Sequence, residues 1–185
     1  MSYGGAQEAF GIKPDVTTLG KSLSNGFVIS AVGGKKEIME QLSPNGNVYE
    51  ASTFAGNPIS TRAGIASLRA MHSLKNKIYP KLAKECLSLT KSIHESATKY
   101  DIEHQVNAIS SMFQIFFTDK PVTNYKSSKL ADGKKFHKLF TGLLREGIFI
   151  APSQFETGFL SYAHTDSDLE KTMQSYDYAL RQIRT

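Results

Sequence analysis

Cysteine, tryptophan and arginine are scarce in this chain of 185 residues. It contains one cysteine, Cys86, no tryptophan, and only five arginines beside 17 lysines. A single cysteine excludes an internal disulfide, and no C-x-x-C spacing marks a metal site. We therefore expect Cys86 to be a buried core residue, and we expect no metal centre.

Long apolar stretches are missing as well. No run reaches the roughly 18 apolar residues that a membrane-spanning helix requires, and the first residues, Met-Ser-Tyr-Gly-Gly, lack the basic and apolar regions of a signal peptide. These absences predict a cytoplasmic protein that does not associate with membranes.

The positive charge of the chain does not form a pattern. The net charge is +5, but the lysines are scattered and no basic stripe alternates with aromatic residues. We therefore do not expect nucleic-acid binding. The composition, 40% hydrophobic and 10% aromatic, is enough for a buried core in one full domain or two small ones.

The stretch that carries most of the functional information surrounds Lys21. Residues 16–19 are strand formers, whereas Gly20 and the Ser-Asn-Gly triplet at 24–26 favour turns. Lys21 is therefore predicted at the end of a strand. Neighbours that desolvate its amine would lower its pKa and free it to form a Schiff base with an aldehyde. A solvated surface lysine is the alternative, and the local pattern leaves both open.

The rest of the first half alternates short elements. Residues 27–34 are an apolar run that predicts one buried strand, and residues 35–42 have the composition of a short helix. Residues 48–54 are rich in strand formers. A helix is expected to begin at Asn57-Pro58 and to run to about residue 75. A second helix is predicted after Pro80, with apolar positions at Leu82, Ala83, Cys86, Leu89, Ile93 and Ala97.

The second half mixes strands with helices. Strands are predicted at residues 112–117, 148–150 and 159–163, with a polar connection at 124–129. A helix with an apolar stripe ends at Gly147. The last helix is predicted to begin at a capping box formed by Thr165 and Asp168. This pattern indicates a small α/β domain whose helices cover one face of a sheet.

Four separate stretches carry a resemblance to a known family. They are residues 3–8 with 13–21, residues 31–39, the Ser-Thr-Phe-Ala-Gly-Asn-Pro segment at 52–58, and residues 112–119 with 151–156 and 163–165. Together they resemble the C-terminal part of a class III, fold-type I aminotransferase that uses pyridoxal 5'-phosphate. The fourth stretch points within that family to an aminomutase, which exchanges an amino group inside one substrate molecule.

The resemblance implies the fold and the domains. The fold class is α/β, the C-terminal portion of a fold-type I pyridoxal-phosphate-dependent transferase. Residues 1–75 would be the remnant of the large-domain sheet that carries the Schiff-base lysine. Residues 76–185 would be the small C-terminal α/β domain.

The same resemblance assigns three site residues. Lys21 matches the lysine that forms a Schiff base with the cofactor and moves the proton between carbons. Thr53 matches the threonine whose hydroxyl bonds the cofactor phosphate of the neighbouring subunit, although a threonine before a turn is by itself usually a local cap. Glu156 matches a carboxylate that faces the substrate entrance, or else is an exposed strand-edge residue. His164 is interpreted as structural.

Other parts of the family's site have no candidate in this chain. They are the phosphate-binding glycine loop, the aromatic residue that stacks on the ring, the aspartate that pairs with the ring nitrogen, and the arginine for the substrate carboxylate. We therefore expect a truncated chain that is inactive alone and that forms a homodimer or pairs with a complementary N-terminal half. The substrate would be an amino aldehyde or amino acid.

Two alternatives remain open at this point. One is an aminotransferase with a different amino donor and acceptor, since Ser24, Asn25 and Gly26 depart from the glycine-rich triplet common in the aminomutase. The other is a fragment without catalytic function that serves as an interaction or folding module.

Overall fold

The computed structural model describes residues 1–183 and separates into two compact units. The first unit is Ser2–Lys77, and the second contains the residues from Ile78 onward together with Met1. Their boundary lies close to the predicted division after residue 75. Helix α3, Pro58–Lys99, crosses this boundary in the sequence, so its first part belongs to one unit and its second part to the other.

The first unit has five complete short elements before α3. These are α1 Gly5–Ala9, β1 Val16–Leu19, a 3-10 turn at Lys21–Leu23, β2 Ala31–Gly34 and α2 Lys36–Met39. Strand β1 has the predicted bounds. Strand β2 is shorter than the strand predicted at 27–34, and the predicted burial is wrong, since all four of its residues are exposed. Phe27 and Val28 lie before the strand and are more than half exposed. Residues 48–54 form no strand.

The two strands pair with each other. They are antiparallel, with Val16 opposite Gly34 and Leu19 opposite Ala31. Each of the two strands therefore has one edge paired within this chain. Gly34 is required at its position, since an added Cβ would lie 2.4 Å from the carbonyl oxygen of Asp15.

The first unit buries little apolar surface. Every buried apolar residue within residues 1–183 belongs to the second unit. The first unit instead leaves large apolar side chains exposed, namely Phe10, Ile12, Val16, Leu19, Phe27, Val28, Val32, Val48, Tyr49, Phe54 and Ile59. An apolar surface of this kind is typical of a face that another protein surface covers.

One continuous helix replaces the two helices predicted around Pro80. Helix α3 spans Pro58–Lys99 and contains Pro80 in its interior. A proline there removes one backbone hydrogen bond and costs about 3 kcal/mol. Burial of Leu82, Leu89 and Ile93 outweighs that cost, since each buried aliphatic side chain contributes about 1.5–3 kcal/mol.

The second unit is built on a three-stranded antiparallel sheet. The elements after α3 are β3 Gln105–Ile109, β4 Met112–Phe116, α4 Tyr125–Ser128, α5 Gly133–Arg145, β5 Gly158–Phe159 and α6 Asp166–Ile183. The order of the sheet is β3-β4-β5, and Met112 of β4 lies opposite Phe159 of β5.

Sequence patterns mislocated several of these elements. Strand β3 was missed, and the strand predicted at 159–163 is confined to Gly158–Phe159. The strand predicted at 148–150 is wrong, because this segment packs Ile148 and Ile150 against the core without a ladder partner. The polar connection at 124–129 contains the one-turn helix α4, which begins after a capping box at Asn124.

The core of the second unit lies between the sheet and three helices. Leu89 and Ile93 of α3 contribute to it, as do Leu139 and Leu143 of α5 and Leu180 of α6. The expected burial of Cys86 is confirmed, and desolvation raises the pKa of its thiol.

Two helix boundaries in this unit were predicted correctly. Gly147 follows α5 with φ +80°, and the Thr165 hydroxyl accepts a hydrogen bond from the N–H of Asp168 at the start of α6. The Asp168 carboxylate in turn accepts one from the N–H of Thr165. Short-range capping chemistry therefore decides both helix ends.

A polar cluster on Asp177 joins α6 to the end of α3. Its carboxylate accepts hydrogen bonds from the Ser96 and Tyr100 hydroxyls, both at 2.9 Å, and lies 3.3 Å from the amine of Lys99. Desolvation raises the pKa of Asp177, but the hydrogen bonds from Tyr100, Ser96 and Lys99 outweigh it, so the pKa is lowered overall. The charged carboxylate therefore stabilises the folded unit.

Replacing Asp177 by Asn tests this contribution. We expect the free energy of unfolding at neutral pH to fall by about 1 kcal/mol, since the cluster is partly exposed and screened. Because the folded pKa lies below the unfolded value, the stabilisation is present above about pH 4 and is lost as the pH falls through the folded pKa. The difference between the two chains should therefore shrink in acid.

Urea unfolding followed by near-ultraviolet circular dichroism at several pH values measures this difference. Asp119→Asn is the control, because Asp119 is exposed and makes no ion pair within the described chain. An equal loss in both variants, or a difference that does not change with pH, would contradict the role of the Asp177 charge.

Candidate functional site

Lys21 lies where β1 ends, as the sequence predicted. Gly20 continues the extended backbone with φ −167°, and Lys21 then turns the chain with φ +49° at the start of the 3-10 turn. A positive φ is uncommon for a residue with a side chain, and such strain concentrates at functional sites. The geometry therefore marks Lys21 as an unusual lysine by its backbone alone.

The Lys21 side chain is accessible. It is exposed, and its amine makes no hydrogen bond or ion pair within residues 1–183. Of the two alternatives that the local pattern left open, a desolvated and a solvated lysine, the described residues show the solvated one. What the chain itself provides is a free amine on a constrained loop.

The loop after Lys21 is held by Ser24. This side chain is almost fully buried, and its hydroxyl donates a hydrogen bond to the carbonyl oxygen of Phe27. Asn25 and Gly26 follow with positive φ values of 52° and 106°. The Ser-Asn-Gly triplet therefore forms a specific tight turn beside Lys21.

Gly64 of α3 supports the same loop. A Cβ added at Gly64 would lie 3.8 Å from Cδ1 of Ile29, 3.9 Å from the Leu23 carbonyl oxygen and 4.0 Å from Cβ of Ser24. A larger side chain at this position would displace the loop that carries Lys21. No sequence pattern predicts this contact, because Gly64 and the loop residues that it approaches lie far apart along the chain.

Thr53 lies in the loop that leads into α3 and is exposed. The neighbouring Ser52 makes the local turn bond, because its hydroxyl accepts from the N–H of Phe54 at 3.3 Å. The Thr53 hydroxyl has no hydrogen-bond partner within the described part of the chain. The local capping role considered for Thr53 therefore belongs to Ser52, and the Thr53 hydroxyl is free to bind a ligand.

Helix α3 anchors both loops of the first unit. The Asn57 side chain caps the helix by accepting from the N–H groups of Ile59 and Ser60, each at 3.1 Å, which ends the Thr53 loop. Gly64 contacts the Lys21 loop seven residues later, about 10 Å along the helix axis. The first two turns of α3 thus position both predicted cofactor residues.

Glu156 belongs to the second unit, in the loop between Ile150 and β5. Its side chain is exposed, and its N–H donates to the carbonyl oxygen of Ser153. The buried residue Gln154 holds this loop, because its carbonyl oxygen accepts from the Gln114 side chain at 2.7 Å. Glu156 therefore lies exposed on a loop that Gln154 holds in place. The sequence pattern did not predict this role of Gln154.

The groups in the first unit fit part of a pyridoxal phosphate site. Such a cofactor needs an amine for its aldehyde and hydrogen-bond donors for its phosphate. Lys21 offers an unpaired amine, and Thr53 offers an unpaired hydroxyl. Across residues 1–183, no group of three or more His, Cys, Asp or Glu side chains could hold a metal ion, and no helix is long and apolar enough to cross a membrane.

Comparison with known proteins defines the family. The aminotransferase class-III family matches residues 4–177 of this chain. The chain belongs to the class-III aminotransferase family.

The curated relatives are more specific. The chain is 62% identical over 184 residues to a glutamate-1-semialdehyde 2,1-aminomutase of Nitrosopumilus maritimus, covering 100% of this chain and 43% of that protein. It is 50% identical to glutamate-1-semialdehyde 2,1-aminomutase 1 of Cenarchaeum symbiosum, covering 100% and 44%. The chain thus spans less than half the length of these relatives.

Solved structures agree on the fold. An omega-transaminase from Sphaerobacter thermophilus superimposes with a TM-score of 0.89 at 28% identity, over 100% of this chain and 42% of that one. A glutamate-1-semialdehyde aminomutase from Pseudomonas aeruginosa in complex with PMP superimposes with a TM-score of 0.80 at 18% identity, over 98% and 42%. The predicted fold class, part of a fold-type I transferase, is confirmed.

Substitutions of Gly64 test how α3 supports the Lys21 loop. Gly64→Ala should preserve the loop and stabilise α3 by up to about 1 kcal/mol, because a methyl group there makes only ordinary contacts. Gly64→Phe should displace residues 23–29. Limited proteolysis within this segment and thermal unfolding measure the two effects.

Gly133→Ala, in the second unit, is the control for a glycine substitution at a position that makes no contact with residues 23–29. Its Cβ would meet only the Gln154 side chain, at 3.9 Å. Unchanged proteolysis of residues 23–29 in Gly64→Phe would show that α3 does not hold the loop.

Proposed function

We propose that this chain is the lysine-bearing part of a glutamate-1-semialdehyde 2,1-aminomutase. The whole enzyme would convert glutamate-1-semialdehyde to 5-aminolevulinate, a step toward tetrapyrroles, with pyridoxal 5'-phosphate as cofactor. The observation that carries the proposal is the free amine of Lys21 on a left-handed residue at the end of β1. The 62% identity to the Nitrosopumilus relative, along the entire chain, supports the substrate.

The bound cofactor would supply an electron sink for the bonds that change at the substrate carbon. Lys21 would hold the cofactor and would carry a proton on its Nζ between substrate positions. The Thr53 hydroxyl would donate to a phosphate oxygen, and the Glu156 carboxylate would face the substrate at the entrance. Substrate and product are isomers, so the reaction needs no external amino acceptor.

The assembly is part of the proposal. The exposed apolar side chains of the first unit favour burial against a second surface, either in a homodimer or on a complementary N-terminal half. We also propose that residues 1–75 and 76–185 act as the cofactor-binding and small domains, which the division of the chain at Lys77 supports. A cytoplasmic location fits this assignment.

A chemical label at Lys21 tests cofactor attachment. The chain is incubated with pyridoxal phosphate, reduced with borohydride and mapped by mass spectrometry, alone and with the part of the Nitrosopumilus relative that it does not match. We expect weak labelling alone and strong labelling at Lys21 in the mixture. Lys13→Ala should leave the label unchanged, whereas Lys21→Ala should remove it.

The same measurement separates the proposal from the module alternative. The exposed apolar surface of the first unit would serve an interaction module as well as an enzyme. If Lys21 carries no label in either sample, the chain is a module without a catalytic role.

Activity is tested in a chimera in which this chain replaces the matching part of the Nitrosopumilus relative. We expect 5-aminolevulinate from glutamate-1-semialdehyde without any added amino acceptor. Lys21→Ala should lower the rate at least about a hundredfold, because it removes the group that moves the proton. Lys13→Ala is the matched control.

Two results would count against this proposal. A strict requirement for an added keto acid or aldehyde would identify an aminotransferase with another acceptor. Turnover by the purified 185-residue chain alone would show that it does not need a complementary part.

A further inference from the structure

Two histidines of the second unit lie in direct contact. Nδ1 of His94, on α3, is 2.7 Å from Nε2 of His104, which immediately precedes β3, and the ring centroids are 4.8 Å apart. His94 is exposed and His104 is half-buried. Two imidazole nitrogens at this spacing are a candidate site for a transition-metal ion, since neutral imidazole is a common metal ligand.

The backbone fixes the orientation of the His104 ring. Nδ1 of His104 lies 2.6 Å from the carbonyl oxygen of Ile102. Because a carbonyl oxygen only accepts hydrogen bonds, Nδ1 carries the proton of the neutral ring and Nε2 presents a lone pair. Histidines that bind metal ions have the same arrangement, in which the other ring N–H donates to a carbonyl or a carboxylate and so orients the ligating nitrogen. Nε2 of His104 is therefore prepared as a ligand.

The contact between the two rings can be replaced by bonds to a metal ion. Because Nε2 of His104 is the acceptor, the hydrogen bond between the rings uses the proton on Nδ1 of His94. When an ion binds, this proton moves to Nε2 of His94, so both rings stay neutral and no proton is released. The exposed His94 ring rotates until both lone pairs meet at the ion.

Both histidines are attached to well-packed elements. Ile93 and Ala97 on either side of His94 are completely buried, and the buried residue Ile102 lies two positions before His104. The two ligands are therefore held close to each other before an ion arrives. This arrangement gives the second ligand a high effective concentration and favours chelation over binding to a single imidazole.

The charge near the pair favours a cation. A cavity of about 340 Å³ borders His104, and Asp101, Glu103 and Asp119 contribute to its lining. All three of these residues are exposed, and their carboxylates raise the local concentration of cations. Within residues 1–183 they do not join the histidines in a group of three or more metal ligands. Water molecules would therefore take the remaining positions around the ion.

The spacing of the two nitrogens also limits the kind of ion. Two nitrogens at about 2.0–2.1 Å from one ion lie about 2.9 Å apart at a right angle and about 3.3 Å apart at the tetrahedral angle. The 2.7 Å between the two rings is nearer to the first value. Right angles between ligands are typical of the square-planar and tetragonal sites of Cu²⁺ and Ni²⁺, whereas Zn²⁺ favours tetrahedral sites.

We propose that His94 and His104 form a binding site for a divalent transition-metal ion that takes its ligands at right angles, such as Cu²⁺ or Ni²⁺. The site involves neither Lys21 nor Thr53, so it does not rest on the proposed reaction. No sequence motif predicts it, because the two histidines are ten residues apart on different elements. The cysteine spacing from which we expected no metal centre does not bear on histidines.

Titration of Cu²⁺ into the 185-residue chain tests the site. Calorimetry in a buffer that does not bind metal ions gives the affinity, and electron paramagnetic resonance with ¹⁵N-labelled histidine counts the imidazole nitrogens on the ion. We expect one Cu²⁺ to bind in the micromolar range through two histidine nitrogens. Ni²⁺ should bind more weakly than Cu²⁺ but more tightly than Zn²⁺, because the spacing suits a right angle.

His94→Ala and His104→Ala are the decisive variants. Each should weaken Cu²⁺ binding about a hundredfold, because loss of either ring removes the chelate. Ni²⁺ should raise the urea midpoint of the unsubstituted chain but not of either variant, since only the folded chain holds both rings together. His137→Ala removes an exposed histidine of α5 whose ring lies beside Phe140, and this matched control should bind like the unsubstituted chain.

Four results would overturn the proposal. One is a spectrum with fewer than two histidine nitrogens on the bound Cu²⁺. Another is an equal loss of affinity in His137→Ala, which would indicate diffuse binding to exposed imidazoles. A third is two independent ions, each lost with one histidine of the pair. Tighter binding of Zn²⁺ than of Ni²⁺ would contradict the right-angle geometry.

Discussion

The structure depends on the packing of the second half of α3 against the sheet and the helices that follow it. Cys86, Leu89 and Ile93 are completely buried there, together with Leu139 and Leu143 of α5. This burial keeps α3 continuous through Pro80, where a proline would otherwise end it. The same helix, near its start, anchors the two loops that carry Lys21 and Thr53. The same helix therefore contributes to the core of the second unit and holds the loops of the first unit that carry Lys21 and Thr53.

The two units of the chain differ in how they are stabilised. The second unit has a core formed by three helices and a sheet, and every buried apolar residue of the described chain belongs to this unit. The first unit holds its loops with short-range contacts, such as the Ser24 hydroxyl and the Asn57 cap, and leaves most of its apolar side chains exposed. The exposed Lys21 side chain on a constrained loop and the exposed apolar side chains are the features of the first unit on which the proposed assembly rests.

Local elements with strong signals were predicted well. The bounds of β1, the Asn57-Pro58 start of α3, the end of α5 near Gly147 and the Thr165 cap of α6 all follow from residues within four positions of each other. Strand β3 was missed and the strand at 148–150 was predicted wrongly. Whether such a segment forms a ladder depends on a partner strand elsewhere in the chain, which its own composition does not encode. The predicted roles of Lys21, Thr53 and Glu156 came from resemblance to the family and not from local pattern.

The sequence by itself determined the family, the helix caps and the position of Lys21 at the end of a strand. These depend on short motifs whose chemistry is local. Only the tertiary structure decided that α3 supports the Lys21 loop at Gly64 and that Ser96 and Asp177 meet across 81 residues. Each of these depends on distances between segments far apart in the chain, which packing sets and which no spacing along the sequence specifies.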